Sequence, residues 1–309
     1  MMCVYAVVSL LRQWFTGVRR TNMHTKKIYV SYILLAGILW GSLGPFVRYL
    51  NTAGIASMDI VFLRAVVTAV ALLVYLLFFH RDMLRIHIKD LWCFIGTGVA
   101  SITFFNYCYF KAVITTSLSV AAVLLYTAPA IVMILSAMLF GEALNIKKVV
   151  AIVMTFAGCV LVTGVLSGDN QVTVQGILYG LGAGFGYALY SIFSRYALQK
   201  GYHSLTITCY TFVVATIATA CLADVKKVWD IAVSTPGMSI VSVGLGLLCT
   251  VAAYLLYTHG LTRVDNSKAA VIASIEPVTA TVLGMVLYAE EISPVKVIGM
   301  LMVIAGMVI

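Results

Sequence analysis

The sequence predicts an all-α membrane protein: ten transmembrane helices arranged as two inverted five-helix repeats around a central cavity. Three observations carry that expectation. Of 309 residues, 62% are hydrophobic and only 10% charged. A soluble domain carries about a quarter charged residues, so this chain cannot cover a water-facing surface. Ten apolar segments follow one another at 28–50, 58–79, 91–111, 118–140, 147–166, 174–196, 205–223, 237–258, 267–288 and 295–309. Each is near the ~20 residues a helix needs to cross a bilayer. Finally, the second five segments repeat the first five.

The repeat is read by sliding the chain against itself. Phe105–Leu161 matches Ala253–Ile309 without a gap, with fifteen identities in 57 positions at a shift of 148. The matched pairs include Tyr109/Tyr257, Ser119/Ser267, Pro129/Pro277, Glu142/Glu290, Lys148/Lys296 and Gly158/Gly306. The earlier segments match at a shift of 147, as in Gly37/Gly184, Arg48/Arg195 and Gly54/Gly201. Apolar helices match readily by chance, but a constant register through both prolines and both glutamates does not arise that way. Five segments is an odd number, so the two halves enter the membrane in opposite senses. Inverted repeats of this kind build secondary transporters, with the substrate site near the midplane between the halves.

Charge sets the orientation. With the N-terminus inside, fourteen Lys and Arg fall on the cytoplasmic side and five on the outer side, with Arg64 inside a segment. That bias puts both termini in the cytoplasm. The net charge of +9 therefore reads as topology and contact with anionic lipid, not nucleic acid. Residues 1–27 form a cytoplasmic N-terminal extension, and 28–166 and 174–309 are the two repeats. Residues 167–173 (SGDNQVT) join them as an outer linker. The last segment is short, and its double predicts about five further residues. Seven cysteines stand singly, without a C-x-x-C or Cys/His cluster, which indicates neither a disulfide framework nor a metal site. No cofactor is implied. The run G-x-x-x-x-G-K-[ST] is missing, so this chain alone is no ATP-driven pump, and the histidines lack the H-E-x-x-H spacing of a zinc enzyme.

Segments 4 and 9 each carry an A-x-x-x-x-x-x-P stretch, Ala122 to Pro129 and Ala270 to Pro277, and end in Gly141-Glu142 and Ala289-Glu290. With the five-segment repeat, these features resemble the EamA branch of the drug/metabolite transporter superfamily over residues 28–309. The resemblance implies ten helices, cytoplasmic termini, a plasma-membrane location and a central cavity. It also implies export or exchange of a small metabolite, such as an amino acid or amine, often coupled to an ion gradient. A flippase of a lipid-linked intermediate is the alternative on the same scaffold. The expected partners are a small-molecule substrate and membrane lipid, with a coupling proton and a second copy of the chain as further candidates.

Glu276 is the first candidate for the work. A carboxylate amid a span costs several kcal/mol unless paired, and marks function by default. It stands directly before Pro277, which removes a backbone hydrogen bond. Read as one continuous helix, segment 9 places Ala269, Ala273, Glu276, Ala280 and Gly284 on one stripe. Bulky Val271, Ile275, Val278, Val282 and Val286 lie opposite, toward lipid. The acid then points inward, either to carry a proton or to bind a substrate amine. Arg64, about two turns into segment 2, either neutralises Glu276, holds an anionic substrate group, or snorkels to the interface. Lys111 and its double His259 are gating contacts or interfacial anchors. Tyr109, Tyr257, Tyr126, Asn106, Tyr254 and Trp40 offer hydroxyl, amide and indole groups to a cavity, with packing as the bland alternative for each. Pro129, Pro277 and Pro45 are the expected helix breaks and hinges. Glu142 and Glu290, beside Asn145 and Ser293-Pro294, read as start caps of the helices that follow them. The run Gly180, Gly182, Gly184, Gly186 fails G-x-G-x-x-G and reads, with Gly37 and Gly41, as close helix contact.

Overall fold

A computed structural model describes residues 23–167, 173–290 and 293–309. The expectations for residues 1–22 and for most of the 167–173 linker lie outside the described residues. Every regular element among those described is helical. Eight helices are long and apolar enough to cross a membrane: Lys27–Thr52, Ser57–Phe79, Ile88–Thr115, Leu118–Phe140, Ile146–Thr163, Val174–Gln199, Pro236–Gly260 and Asn266–Tyr288. A ninth is reached by joining Ser204–Ala220 to Val225–Ala232 across a bend of 114°. Segment 10 forms the shorter helix Pro294–Val308. Each apolar segment is thus helical, while by length the described chain holds eight or nine spans against the ten expected.

Three of these helices are interrupted, and one chemical cause explains where. Proline lacks the N–H of the helical ladder, and its ring crowds the carbonyl four residues back. Segment 1 divides into Met23–Gly41 and Leu43–Thr52, segment 4 into Leu118–Leu125 and Ala128–Phe140, and segment 9 into Asn266–Ala273 and Glu276–Tyr288. Gly41, Leu125 and Ala273, the last residues of the leading pieces, stand four positions before Pro45, Pro129 and Pro277. The hinge prolines break the helices one turn ahead of themselves.

A second pair of irregularities follows the repeat. Residues Gly96–Thr103 in segment 3 and Leu247–Ala252 in segment 8 are wound as π-helix. Thr103 Oγ1 donates to the Gly98 carbonyl at 3.0 Å, and Thr250 Oγ1 to that of Leu245 at 3.4 Å. Both bonds reach back five residues, and the two threonines are 147 positions apart. π-Turns of this kind are frequent where helices meet a functional site.

Cross-chain contacts sort the turns onto two faces. Thr206 and Tyr210 hydroxyls donate to the Met83 and Leu84 carbonyls, and Glu142 accepts from Asn266 and Ser267. At the other end the Asp224 N–H donates to Asp59, Thr173 to the Thr115 carbonyl, and Arg48 pairs with Glu290. The 199–202 and 224–227 turns therefore lie on opposite faces, as inverted repeats require.

The glycines set how close the helices come. A Cβ on Gly37 or Gly41 would fall 2.9 Å from the Ala273 carbonyl oxygen or 2.5 Å from that of Glu276. Segment 1 thus rests directly on the break in segment 9, and Gly180 and Gly184 seat segment 6 against Leu124 in segment 4. Segments 5 and 10 meet backbone to backbone: a Cβ on either Gly158 or Gly299 would lie 2.7 Å from the other's carbonyl oxygen. Gly158→Val should push these helices apart and cost about 1–3 kcal/mol, the usual range for overpacking. A lowered midpoint of thermal unfolding in detergent checks this, with Gly44→Ala, where a Cβ meets nothing within 4 Å, as a control outside the seam.

One face assignment is corrected. Val271, Ile275 and Val278 are 5%, 9% and 8% exposed, whereas Ala280 is exposed. The stripe was drawn on a continuous helix, but the break at Ser274–Ile275 resets the phase. Apart from Lys268 the leading piece is also buried on every side, so it has no lipid face. Only Val282 and Val286, 40% and 66% exposed, point outward as expected.

Candidate functional site

The breaks in segments 4 and 9 and the π-turns of segments 3 and 8 converge on the middle of the bundle. Glu276 opens the trailing piece of segment 9 as its first helical residue. There the backbone N–H groups lack intrahelical acceptors, and the positive end of the helix favours a carboxylate. Its side chain retains partial solvent access, and no side chain among the described residues hydrogen-bonds to it. Tyr109, Tyr126, Tyr187 and Cys159 all stand within electrostatic range of its charge.

Arg64 approaches from segment 2 and is 6% exposed, so it does not snorkel. Its Nη2 donates to Asn106 Oδ1 at 3.3 Å, and Asn106 Nδ2 in turn donates to the Ile102 carbonyl at 2.7 Å. The Arg64 Nε is buried without a partner among the described residues. Arg64 and Glu276 attract each other across the site, yet no ion pair within 4.0 Å joins them among the described residues. The centre therefore holds a guanidinium and a carboxyl group, each left with hydrogen-bonding capacity. Tyr254 stands within range of both.

Aromatic rings cluster beside the pair. Trp40 stacks edge-on to Tyr254 at 5.1 Å and to Tyr187 at 6.2 Å, and lies 5.1 Å from Tyr257. A narrow crevice is lined by these rings with Phe105, Ser101 and Tyr190. Trp40 Nε1, 9% exposed as a residue, has no acceptor among the described residues. Other hydroxyls are committed: Tyr190 bonds Thr258 at 2.7 Å and Tyr257 bonds Ser191 at 2.8 Å. Tyr257 is thus a wall residue whose polar end is spent inside the fold.

Of the residues singled out from sequence, Glu276, Arg64, Asn106, Tyr109, Tyr126, Tyr254, Tyr257 and Trp40 come together here. Lys111 and His259 do not. Lys111 is exposed, its Nζ 5.7 Å from the Tyr107 ring. His259 packs at the end of segment 8 against Tyr29 and Tyr32, ring centroids 5.3 and 5.6 Å away. Sequence reasoning missed Tyr187 and Tyr190. The signal was present in the neighbouring glycines, since Gly184 and Gly186 clear the room in which a bulky ring on the same helix can turn inward.

The reading of Glu142 as cap of its own next helix is also corrected. Asn145 does that task, accepting from the Lys148 N–H at 2.9 Å, as Ser293 does for Lys296 at 3.3 Å. Glu142 instead reaches the other repeat, where Oε1 accepts from the Asn266 N–H at 2.8 Å and Oε2 from the Ser267 hydroxyl at 2.6 Å. With Asn145 already serving the local donors, the longer carboxylate is left to find the nearest uncapped helix start, which belongs to segment 9.

Comparison with known proteins agrees with this architecture. The model of the EamA-like transporter family matches residues 27–164 and again 174–309. The uncharacterized transporter YwfM of Bacillus subtilis is 27% identical over 287 residues, covering 91% of this chain and 93% of the relative. An uncharacterized transporter of Archaeoglobus fulgidus is 29% identical over 279 residues, covering 90% and 94%. One solved crystal structure, 20% identical, superposes with a TM-score of 0.76 over 90% of this chain and 94% of its own, which is a likeness of fold.

Proposed function

Since the chain belongs to the EamA-like transporter family, we propose that it moves a small zwitterionic metabolite of the amino-acid type by alternating access between its two repeats, 28–166 and 174–309. The observation that carries this reading is the separated charge pair at the centre. Arg64 and Glu276 are close enough to attract but are not joined, and Tyr254 stands within range of both. A solute with a carboxylate and an ammonium completes both, with Asn106 and the Trp40 indole as neutral donors. Burying an unpaired charge is costly, so each group gains most from a ligand that brings its counter-charge. The rings suit an apolar side chain or the face of the ammonium. Orientation follows from the basic residues: the Glu142 face is cytoplasmic, both termini are cytoplasmic, and the membrane is the plasma membrane. The direction is export or exchange, with proton coupling as a role for Glu276 in the return step.

Counterflow in proteoliposomes tests it. Vesicles preloaded with unlabelled leucine, phenylalanine or threonine should accumulate the labelled amino acid. Amines lacking the carboxylate, and carboxylates lacking the amine, should compete at least about tenfold more weakly, the value of one lost charge-assisted bond. Equal competition by a simple amine would remove Arg64 from the site. Counterflow of none of these solutes would remove the amino-acid assignment.

A further inference from the structure

The two repeats match in sequence at their ends but not in what those ends do. At the Glu142 face the doubled residues are locked across the repeats. Glu142 holds the Ser267 hydroxyl at 2.6 Å and the Ser267 N–H at 3.3 Å, as well as the Asn266 N–H. Lys148 Nζ lies 3.6 Å from Glu142 and 3.4 Å from Asp265. Arg195 donates to Asn266 Oδ1 at 2.9 Å and to the Val264 carbonyl. The Glu142 side chain is 11% exposed. On the same face Lys200 lies 2.6 Å from Asp90, a hydrogen bond that raises the lysine pKa and keeps it charged.

At the opposite face stand the doubles Glu290, Ser119 and Arg48. Ser119 donates to the Thr163 carbonyl at 2.8 Å, within its own repeat. Glu290 folds back over Gly284 and lies 3.9 Å from Arg48, both side chains more than half exposed. Arg48 rests 4.0 Å over the Tyr288 ring, within the Glu290 end of segment 9. The same acid, serine and arginine are present at both faces, but the acid–serine bond across the repeats is made at only one; at the other the acid crosses only to Arg48, at 3.9 Å.

We infer that Glu142–Ser267 and Glu290–Ser119 are alternate latches, each a carboxylate of one repeat capping the broken helix of the other, and that only one closes at a time. The structure is the state closed at the Glu142 face. In the other state Glu142 releases Ser267, Ser119 leaves Thr163, and Glu290 swings from Gly284 to cap the segment starting at Leu118. The inference rests on alternating access but not on the identity of the cargo. The acceptor is a carboxylate because it takes two N–H groups and a hydroxyl together at a positive helix end. The serine supplies the hydroxyl. Leu118 stands where the first face has Asn266, so the second latch lacks the Arg195–Asn266 bond and is the weaker of the two. The resting chain therefore favours the state seen.

Double electron–electron resonance on the full chain in nanodiscs tests this in a cysteine-free background. One label pair, Leu144→Cys with Lys268→Cys, spans the latched face, and a second, Leu118→Cys with Leu287→Cys, spans the other. Glu142→Gln should lengthen the first distance and shorten the second, shifting the ratio of states about tenfold. Ser267→Ala should do the same to a smaller degree, and it serves should Glu142→Gln fail to fold. Glu290→Gln in the wild-type background should leave both distances unchanged, and combined with Glu142→Gln it should leave neither face closed. Distances unmoved by Glu142→Gln and Ser267→Ala would overturn the latch, as would a Glu290→Gln variant that shifts them the way Glu142→Gln does. Because distances are read without substrate, this result and the counterflow result succeed or fail separately.

Discussion

Glu276→Gln should abolish counterflow of a zwitterionic amino acid and not merely its coupling to a gradient. The carboxylate stands within range of Arg64 at the centre, and the amide that replaces it cannot hold an ammonium in a site with little water. Removing one member of a buried charge pair costs about 3–5 kcal/mol, which is roughly two to four orders of magnitude in apparent affinity. The measurement has two arms. Counterflow needs no gradient, while accumulation against a concentration difference needs one. Loss of both places Glu276 on the substrate. Loss of accumulation alone, with counterflow intact, would make it a proton carrier and return the ammonium to the aromatic rings. Glu276→Asp should keep part of the counterflow, since the charge persists on a shorter arm at the same helix start.

The second large effect concerns Arg64 and is best read as a cycle. Arg64→Gln alone leaves Glu276 without its long-range partner, and Glu276→Gln alone leaves a guanidinium with an orphan Nε in the protein interior. Each single variant should lower the thermal midpoint in detergent. The double variant should recover much of that loss, because no unbalanced charge is left inside, giving a coupling of about 0.5–3 kcal/mol. Transport should not recover. A double variant as unstable as the sum of the singles would mean the two charges do not sense each other. One that transports would remove them from the path of the solute. Arg64→Lys should rescue stability better than transport, since a lysine offers no planar fork to a carboxylate.

Much of this was legible beforehand, for identifiable reasons. Membrane residence and the inverted repeat came from composition and register, which survive any detail of packing. The three helix breaks were legible because proline acts on its own backbone, whatever surrounds it. Bringing Glu276, Arg64, Asn106 and Trp40 together was legible because polar groups inside apolar segments have few places to go. The failures share a cause as well. Val271, Ile275 and Val278 were sent to lipid on a periodicity that a broken helix does not keep. The π-turns left no mark beyond two threonines in register. Glu142 pointed to a cap, but which helix it caps depends on the other repeat, and no spacing within one segment records that.

The Gly158–Gly299 seam has a consequence for how the halves move. Two backbones in direct contact have no side chains between them to repack, so sliding there would meet hard atoms at once, while tilting would not. Under a two-sided mechanism the seam is then the fulcrum, and openings at the two faces are opposite ends of one lever. A bulky residue at that pivot would hamper exit and entry together, and labels beside it should report nearly constant separation while those at the rims swing.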